Sequence, residues 1–190
     1  MEINSPISII ESQIRECFGR CAWTHKAHLK CSDIVSEVQS RLQVVQIILS
    51  TLITTGVLVT VFGDHQVVGI ITAVLSAVQV GITSYMKGHD FGEISQKHSD
   101  AGSQIWDIRE SYLSLLTDIR ANAVSIEEAQ KRRDQLQEKL VGIYKGSPRI
   151  TSKAYKRAST SLKVNEDLTF SDEELDKLLP IPLRNTKMVP

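Results

Sequence analysis

Charged residues are missing from one long stretch in the middle of the chain. Residues 42–86 hold a single charge, Asp64, whereas the other 145 positions hold 43 charges. Asp64 divides the stretch into two runs of 22 residues. A helix of that length rises about 33 Å, which matches a hydrocarbon core of roughly 30 Å. The pattern predicts membrane-spanning helices over 42–63 and 67–86, joined by the short turn Phe62-Gly63-Asp64-His65-Gln66.

The second run sorts its residues by helical face. Small residues recur at every fourth position, a polar stripe lies beside them, and bulky aliphatic residues fill the remaining arc. Small residues let helices approach closely in lipid, whereas polar residues either hydrogen-bond between helices or line a wet path in an oligomer. Both interpretations stay open here. The small stripe is Gly69, Ala73, Ala77 and Gly81, and the polar stripes are Gln43, Gln46, Ser50 and Thr54 in the first run and Thr72, Ser76, Gln79 and Thr83 in the second.

Apolar positions alternate at spacings of three and four on both sides of the two runs. One row leads from Ile7 to Leu42 and the other from Phe91 to Ile119. When the chain is folded so that paired residue numbers sum to 129, nine positions of the rows meet, among them Cys31 with His98. The pattern predicts an all-α membrane protein, a two-transmembrane antiparallel helical hairpin extended into a cytoplasmic helical stalk. A buried hairpin in a soluble bundle is the alternative. Gly88 and Gly92 mark the easiest place for a helix break.

A third helix and short C-terminal helices follow the stalk. Ser125 and Glu128 have the form of a capping box, and the Gly146-Ser147-Pro148 sequence ends that third helix. Ser171 is the predicted N-cap of a short helix that ends before Pro180. The stretch 149–163 is predicted to be helical and holds five cations without an acid. It either rests on anionic headgroups or another partner, or forms a solvated helix partly neutralised by the acidic tail. These cations are Arg149, Lys153, Lys156, Arg157 and Lys163.

The whole chain, 1–190, is interpreted as one domain. Lys and Arg flank the outer ends of the hairpin and are absent from its turn, so the positive-inside rule puts both termini in the cytoplasm. The N-terminal residues lack the basic and apolar regions of a signal peptide. The predicted segments are an N-terminal cytoplasmic helix (1–41), the two spans, the stalk with its third helix (87–145), and a basic then acidic C-terminal segment (146–190).

Composition narrows the functional classes. The 22 basic and 22 acidic residues cancel, and aromatic residues make up 5% of the chain, so we expect no direct nucleic-acid binding. No phosphate-binding Gly-rich loop, Gly-x-Ser-x-Gly elbow or His-Glu-x-x-His is present, so we predict neither an enzyme nor a cofactor. One cluster has zinc-ligand chemistry, but a single helix cannot turn four ligands toward one ion, and the apolar seam explains its cysteines without a metal. The cluster is Cys17, Cys21, His25, His28 and Cys31, with His98 opposite.

The chain resembles the bacterial SLATT family of two-transmembrane effectors. The resemblance rests on Trp23-Thr24-His25-Lys26-Ala27-His28, the paired spans, Ser147-Pro148-Arg149, and Thr169-Phe170-Ser171-Asp172-Glu173-Glu174-Leu175-Asp176 near the end. It implies a homo-oligomer in the bacterial inner membrane that forms a pore or perturbs the lipid when a partner senses phage, which leads to abortive infection. It also implies a separate sensor or enzyme as partner, either a cyclic-oligonucleotide synthetase (a nucleotidyltransferase) or a reverse transcriptase. A membrane scaffold that docks a partner enzyme without forming a pore is the alternative.

Overall fold

The computed structural model describes residues 6–63 and 66–184, and every regular element within those ranges is helical. The all-α prediction is therefore confirmed. The predicted turn residues Asp64 and His65 lie outside the described residues. The elements are α1 (Pro6–Gly63), α2 (Gln66–Gly88), α3 (Phe91–Arg120), α4 (Ile126–Gly146), α5 (Ser152–Lys163), α6 (Asp172–Leu178) and a 3₁₀ turn (Ile181–Leu183).

Helix α1 runs without a break from the stalk into the first apolar run. Its 58 residues correspond to a length of about 87 Å. Pro6 stands at its first helical position, where the missing N–H costs nothing because that group would have no helical partner. The backbone of α1 therefore continues through the predicted boundary between residues 41 and 42.

The helix that follows the turn is interrupted at the predicted place, next to Gly88 and Gly92. Helix α2 ends at Gly88 and α3 begins at Phe91. The Asp90 carboxylate accepts a hydrogen bond from the Glu93 N–H at 2.8 Å and so caps α3. The break comes just after the last apolar residues of the second run.

The stalk core follows the predicted seam over most of its length. The buried positions recur at spacings of three and four on α1 and α3, as a helix-packing row requires. Helix α4 adds Ala129 and Leu136 to the same core. From the two seams, the core takes Ile10, Ile14, Cys17 and Cys21 of α1 and Ile105, Ile108, Tyr112, Leu115 and Ile119 of α3.

Near the hairpin the apolar seam prediction is wrong. Val38 and Ile94 are exposed, by 39% and 37% of their surface. A cluster of hydroxyl groups takes their place, because Ser95 Oγ lies 2.9 Å from Ser32 Oγ and 2.8 Å from Ser36 Oγ. Because Ser95 lies in the α1–α3 interface, the contacting face of each helix is rotated by part of a turn. Val38 and Ile94 are therefore left outside the interface.

Three further caps set the C-terminal helices. The Ser125 hydroxyl caps α4 as predicted, but the Glu128 carboxylate bonds Arg132, so the capping box there is not complete. The complete box is at Ser171, whose partner is Glu174. Helix α5 starts later than the basic stretch, at Ser152, because the Thr151 hydroxyl accepts from the Ala154 N–H.

Candidate functional site: the membrane hairpin and the stalk beside it

Two apolar segments of the chain are long and apolar enough to cross a membrane. They lie within Pro6–Gly63 and Gln66–Arg120, and in the first of them no residue of the apolar window is buried. Thr72 is the one buried residue of α2, a helix that the structure describes throughout. In a single copy the apolar side chains of these helices are exposed. A lipid environment or neighbouring copies would bury them.

The predicted polar stripes meet each other across the hairpin. Gln46 Nε2 donates to Thr83 Oγ1 at 3.0 Å, and Gln79 Nε2 donates to Ser50 Oγ at 3.1 Å. In both pairs the residue numbers sum to 129, which is the predicted register. Polar side chains at bilayer depth are commonly paired between helices in this way.

The remaining hydroxyls of the stripes bond the backbone of their own helix. Thr54, Thr72 and Ser76 each donate to the carbonyl four residues before them, at 2.8–2.9 Å. Gln79 Oε1 is buried and has no hydrogen-bond partner among the described residues. Some polar side chains of the stripes therefore bond across the hairpin, and others bond the backbone of their own helix. Gln79 Oε1 forms no hydrogen bond with the described residues.

Helices α1 and α2 approach closely at Gly56, a position outside the predicted stripes. A Cβ atom added to Gly56 would lie 2.2 Å from Thr72 Oγ1, so a side chain there cannot fit without a shift. A signal was available, because the spacing of the stalk seam continues from Leu42 through Leu49 to Gly56. Gly63 continues the same row seven residues later.

Most of the predicted small-residue stripe turns away from α1. Gly69 approaches Thr60, with a built Cβ 3.1 Å from Thr60 Cγ2. Ala73, Ala77 and Gly81 are exposed, and a Cβ on Gly81 would meet no atom within 4 Å. The stripe is thus an open face of the hairpin and not its internal contact.

Three buried histidines lie at the α1–α3 interface of the stalk. His28 Nδ1 lies 2.9 Å from His98 Nδ1, and His25 Nδ1 lies 2.8 Å from the Gly102 carbonyl oxygen. Burial, and then the neighbouring His98 and His25, lower the pKa of His28 to about 4, and burial also lowers the pKa of His25 and His98. The His28–His98 contact therefore joins two neutral rings, of which one donates and the other accepts.

The predicted pairing of Cys31 with His98 is wrong. His98 meets His28, and Cys31 Sγ instead accepts from the Thr151 N–H at 3.5 Å. Cys31 therefore packs against the start of α5, whereas Cys17 and Cys21 lie in the stalk core. Within residues 6–63 and 66–184, His, Cys, Asp and Glu form no group of three or more that could hold a metal ion.

Helix α5 crosses α1 at the part of the stalk that leads into the first span. Arg157 donates to both carboxylate oxygens of Glu37, at 3.0 and 3.4 Å. Tyr155 reaches in the other direction along α1, to the Trp23 ring, with centroids 5.5 Å apart. Just beyond the helix, Asp167 pairs with Lys26 at 2.7 Å. Ala154, Ala158 and Ser161 form the buried face of α5.

The chain matches the model of a known protein family. The family model of the SMODS and SLOG-associating 2TM effector domain family 4 matches residues 10–174, which covers both apolar runs, the stalk and α5. No curated protein matches the chain, and no solved structure matches it.

Proposed function

The chain belongs to the SMODS and SLOG-associating 2TM effector domain family 4, a membrane-type effector domain linked to antiphage defence, and we propose that it is a membrane-permeabilising subunit. Copies of the chain oligomerise in the bacterial inner membrane with both termini in the cytoplasm. A separate sensor, either a cyclic-oligonucleotide synthetase or a reverse transcriptase, activates them. The resulting leak stops the infected cell, and the chain itself carries out no catalysis.

The open small-residue face of α2 carries this proposal. Two helices cannot enclose a path, so permeation requires several copies. Ala73, Ala77 and Gly81 are exposed on the side of α2 that turns away from α1. Small residues at a spacing of four allow a second helix to approach closely in lipid, where van der Waals packing drives association. A neighbouring copy seated there would lie beside the polar pairs of the hairpin.

Dye release from liposomes tests the permeabilising activity. The purified chain, reconstituted with its activating partner, should release a small encapsulated dye. Ala77→Ile fills the small-residue face and should abolish both release and the oligomer seen in detergent. Val78→Ile adds bulk at an exposed aliphatic position beside it and is the matched control. Absence of leakage from the activated wild type would refute the proposal.

A membrane scaffold remains the second candidate, and one observation favours it. The polar residues that would line a path are already paired, since Gln46 bonds Thr83 and Gln79 bonds Ser50 within one hairpin. A hairpin whose polar groups satisfy each other is a stable anchor for a stalk that docks a partner enzyme.

Aliphatic replacement of the polar stripe separates the two candidates. The combined variant Ser76→Ala, Gln79→Leu, Thr83→Val should lose toxicity if the stripe conducts, and should keep toxicity and partner binding if the hairpin only anchors. The control is Thr51→Val with Thr55→Val, because these hydroxyls also bond their own backbone but do not pair across the hairpin. Equal losses in the two variants would show a general effect on insertion.

A further inference from the structure

We infer that α5 is a surface helix that binds the anionic headgroups of the membrane in which the hairpin lies. The inference rests on the hairpin being inserted in a bilayer and does not require that it leaks. The relevant side chains are Lys153, Lys156 and Arg157.

The contacts of α5 fix its direction relative to the bilayer. Its first residues lie at Cys31 of α1, and the chain just after its end is held by Lys26. The last residue of α5, Lys163, lies over the Trp23 ring with its Nζ 5.4 Å from the ring centroid, and Trp23 precedes Cys31 by eight residues along α1. Helix α5 therefore crosses α1 obliquely, and its first half lies nearer to the hairpin than its end.

Two cations of α5, Lys153 and Arg157, lie on the side that faces the hairpin, whereas Lys163 lies over Trp23. Arg157 reaches toward the span to bond Glu37, whereas Tyr155 reaches away from it to Trp23. Lys153 lies one turn before Arg157 and shares its side of the helix.

The Arg157–Glu37 pair lies at headgroup depth. Glu37 precedes the start of the apolar run, Leu42, by five residues, which is about 7.5 Å along α1. The polar layer on each side of a bilayer is about 5–8 Å thick. The Arg157 guanidinium thus lies at the outer limit of that layer, and Lys153 lies on the same side of α5.

The acidic tail does not neutralise these cations. Among the described residues, Arg157 pairs with Glu37, and Lys153 and Lys156 form no ion pair. The tail directs Asp167 to Lys26 of α1 instead. Two lysines and a shared arginine therefore present positive charge to the membrane, where each cation near an anionic surface contributes about 1 kcal/mol.

Glu37 and a lipid phosphate compete for the same guanidinium. The Arg157 guanidinium beside Glu37 lowers the pKa of that carboxyl, so the pair is ionised at neutral pH. The pair is accessible to solvent, with 38% of the Arg157 side chain exposed. Removing the carboxylate should therefore free Arg157 for a headgroup.

Lipid binding by the full chain tests the inference. The protein in neutral detergent is titrated with phosphatidylglycerol and with phosphatidylcholine, and bound lipids are counted by native mass spectrometry. Wild type should prefer phosphatidylglycerol. Lys153→Gln with Lys156→Gln should weaken phosphatidylglycerol binding about 30-fold, which corresponds to about 1 kcal/mol for each cation. Lys131→Gln with Lys139→Gln, on exposed positions of α4, is the matched control and should change it less than twofold.

A second variant gives an effect of opposite sign. Glu37→Gln should tighten phosphatidylglycerol binding about fivefold because Arg157 loses its competitor. A fall in binding would mean that Glu37 holds α5 in place, and the proposed competition would be wrong. Equal losses in the two lysine pairs, or an unchanged lipid preference in Lys153→Gln with Lys156→Gln, would assign these cations to general charge or to a protein partner and would overturn the inference.

Discussion

Acid should loosen the stalk at the His28–His98 contact. Both rings are buried, with 2% and 3% of their surface exposed, and their Nδ1 atoms lie 2.9 Å apart. That distance requires one ring to donate its proton to the lone pair of the other. A second proton on the pair would remove the acceptor and bury a charge without a counter-ion.

The size of the effect follows from the pKa of His28. Its ordinary pKa is 6.5, and the folded stalk lowers it to about 4. The unfolded chain therefore binds more protons in acid, so stability decreases as the pH falls below 6.5 and levels off below about 4. Between about pH 7.5 and about pH 5, His28 alone should remove about 2 kcal/mol from the free energy of unfolding. The lowered pKa of His25 and His98 acts in the same direction.

Thermal unfolding in neutral detergent measures this loss. The fluorescence of Trp106, whose ring lies 5.0 Å from that of His25, reports on the same interface. The midpoint should fall by about 4–8 °C between the two pH values, since about 1 kcal/mol shifts Tm by roughly 2–4 °C for a domain of this size. His28→Gln should lower the midpoint at neutral pH and reduce its dependence on pH. The exposed His89 is the control, and His89→Gln should keep the full dependence.

One result would refute the reasoning about the histidine pair. If His28→Gln and wild type lose the same number of degrees on acidification, the protons that destabilise the stalk bind elsewhere. His25 and His98 are the alternative, because burial lowers the pKa of both rings and the unfolded chain would take up protons there as the pH falls.

Three further substitutions test the packing. Gly56→Ala should force α1 and α2 apart, because its Cβ would lie 2.2 Å from Thr72 Oγ1. The substitution should therefore reduce cross-linking between cysteines introduced into the two spans. Gly81→Ala is the control and should leave cross-linking unchanged, because a Cβ there meets nothing within 4 Å. Gly102→Ala places a Cβ 3.1 Å from Leu29 Cδ2 in the stalk, so Leu29 must shift, and its thermal stability should rise less than that of the open Gly142→Ala, which should gain up to about 1 kcal/mol from helix propensity. Asp167→Asn removes the partly buried pair with Lys26 and should speed hydrogen exchange in α5; unchanged exchange would show that the alanine face alone holds α5.

The helical architecture was predictable because strong periodicities repeat along this chain. Apolar residues at spacings of three and four fix the core face of α1 and α3, and the charge-free runs fix the spans. The prediction failed where one small polar residue changed the interface. Ser95 bonds two serines of α1, and so Val38 and Ile94 lie outside. Periodicity reports which residues are apolar, but it does not report which polar residues find partners.

The details of the site depended on contacts between distant parts of the chain. The spacing of residues on α5 indicates a basic helix, but only the fold shows that Arg157 meets Glu37, 120 positions away. In the same way, the polar stripes were visible in the sequence, but their mutual pairing was not. For the polar stripes the sequence left interhelical pairing and pore lining open, and for α5 it left lipid contact and solvation open. Each choice depends on a binding partner, and helical periodicity within one segment does not identify partners.

The paired hairpin constrains how any permeation would arise. A path lined by Gln79 requires that its hydrogen bond to Ser50 be exchanged for one to water or to a neighbouring copy, since the side chain donates within the hairpin. The Gln79 carbonyl oxygen, buried and without a partner among the described residues, is the group that would gain most from such an exchange. An activated state should therefore differ from this one at the α1–α2 contact. At Gly56 the contact leaves no room for a side chain, so a bulky residue there would favour the separated hairpin and should raise leakage without the activating partner if the polar stripe conducts.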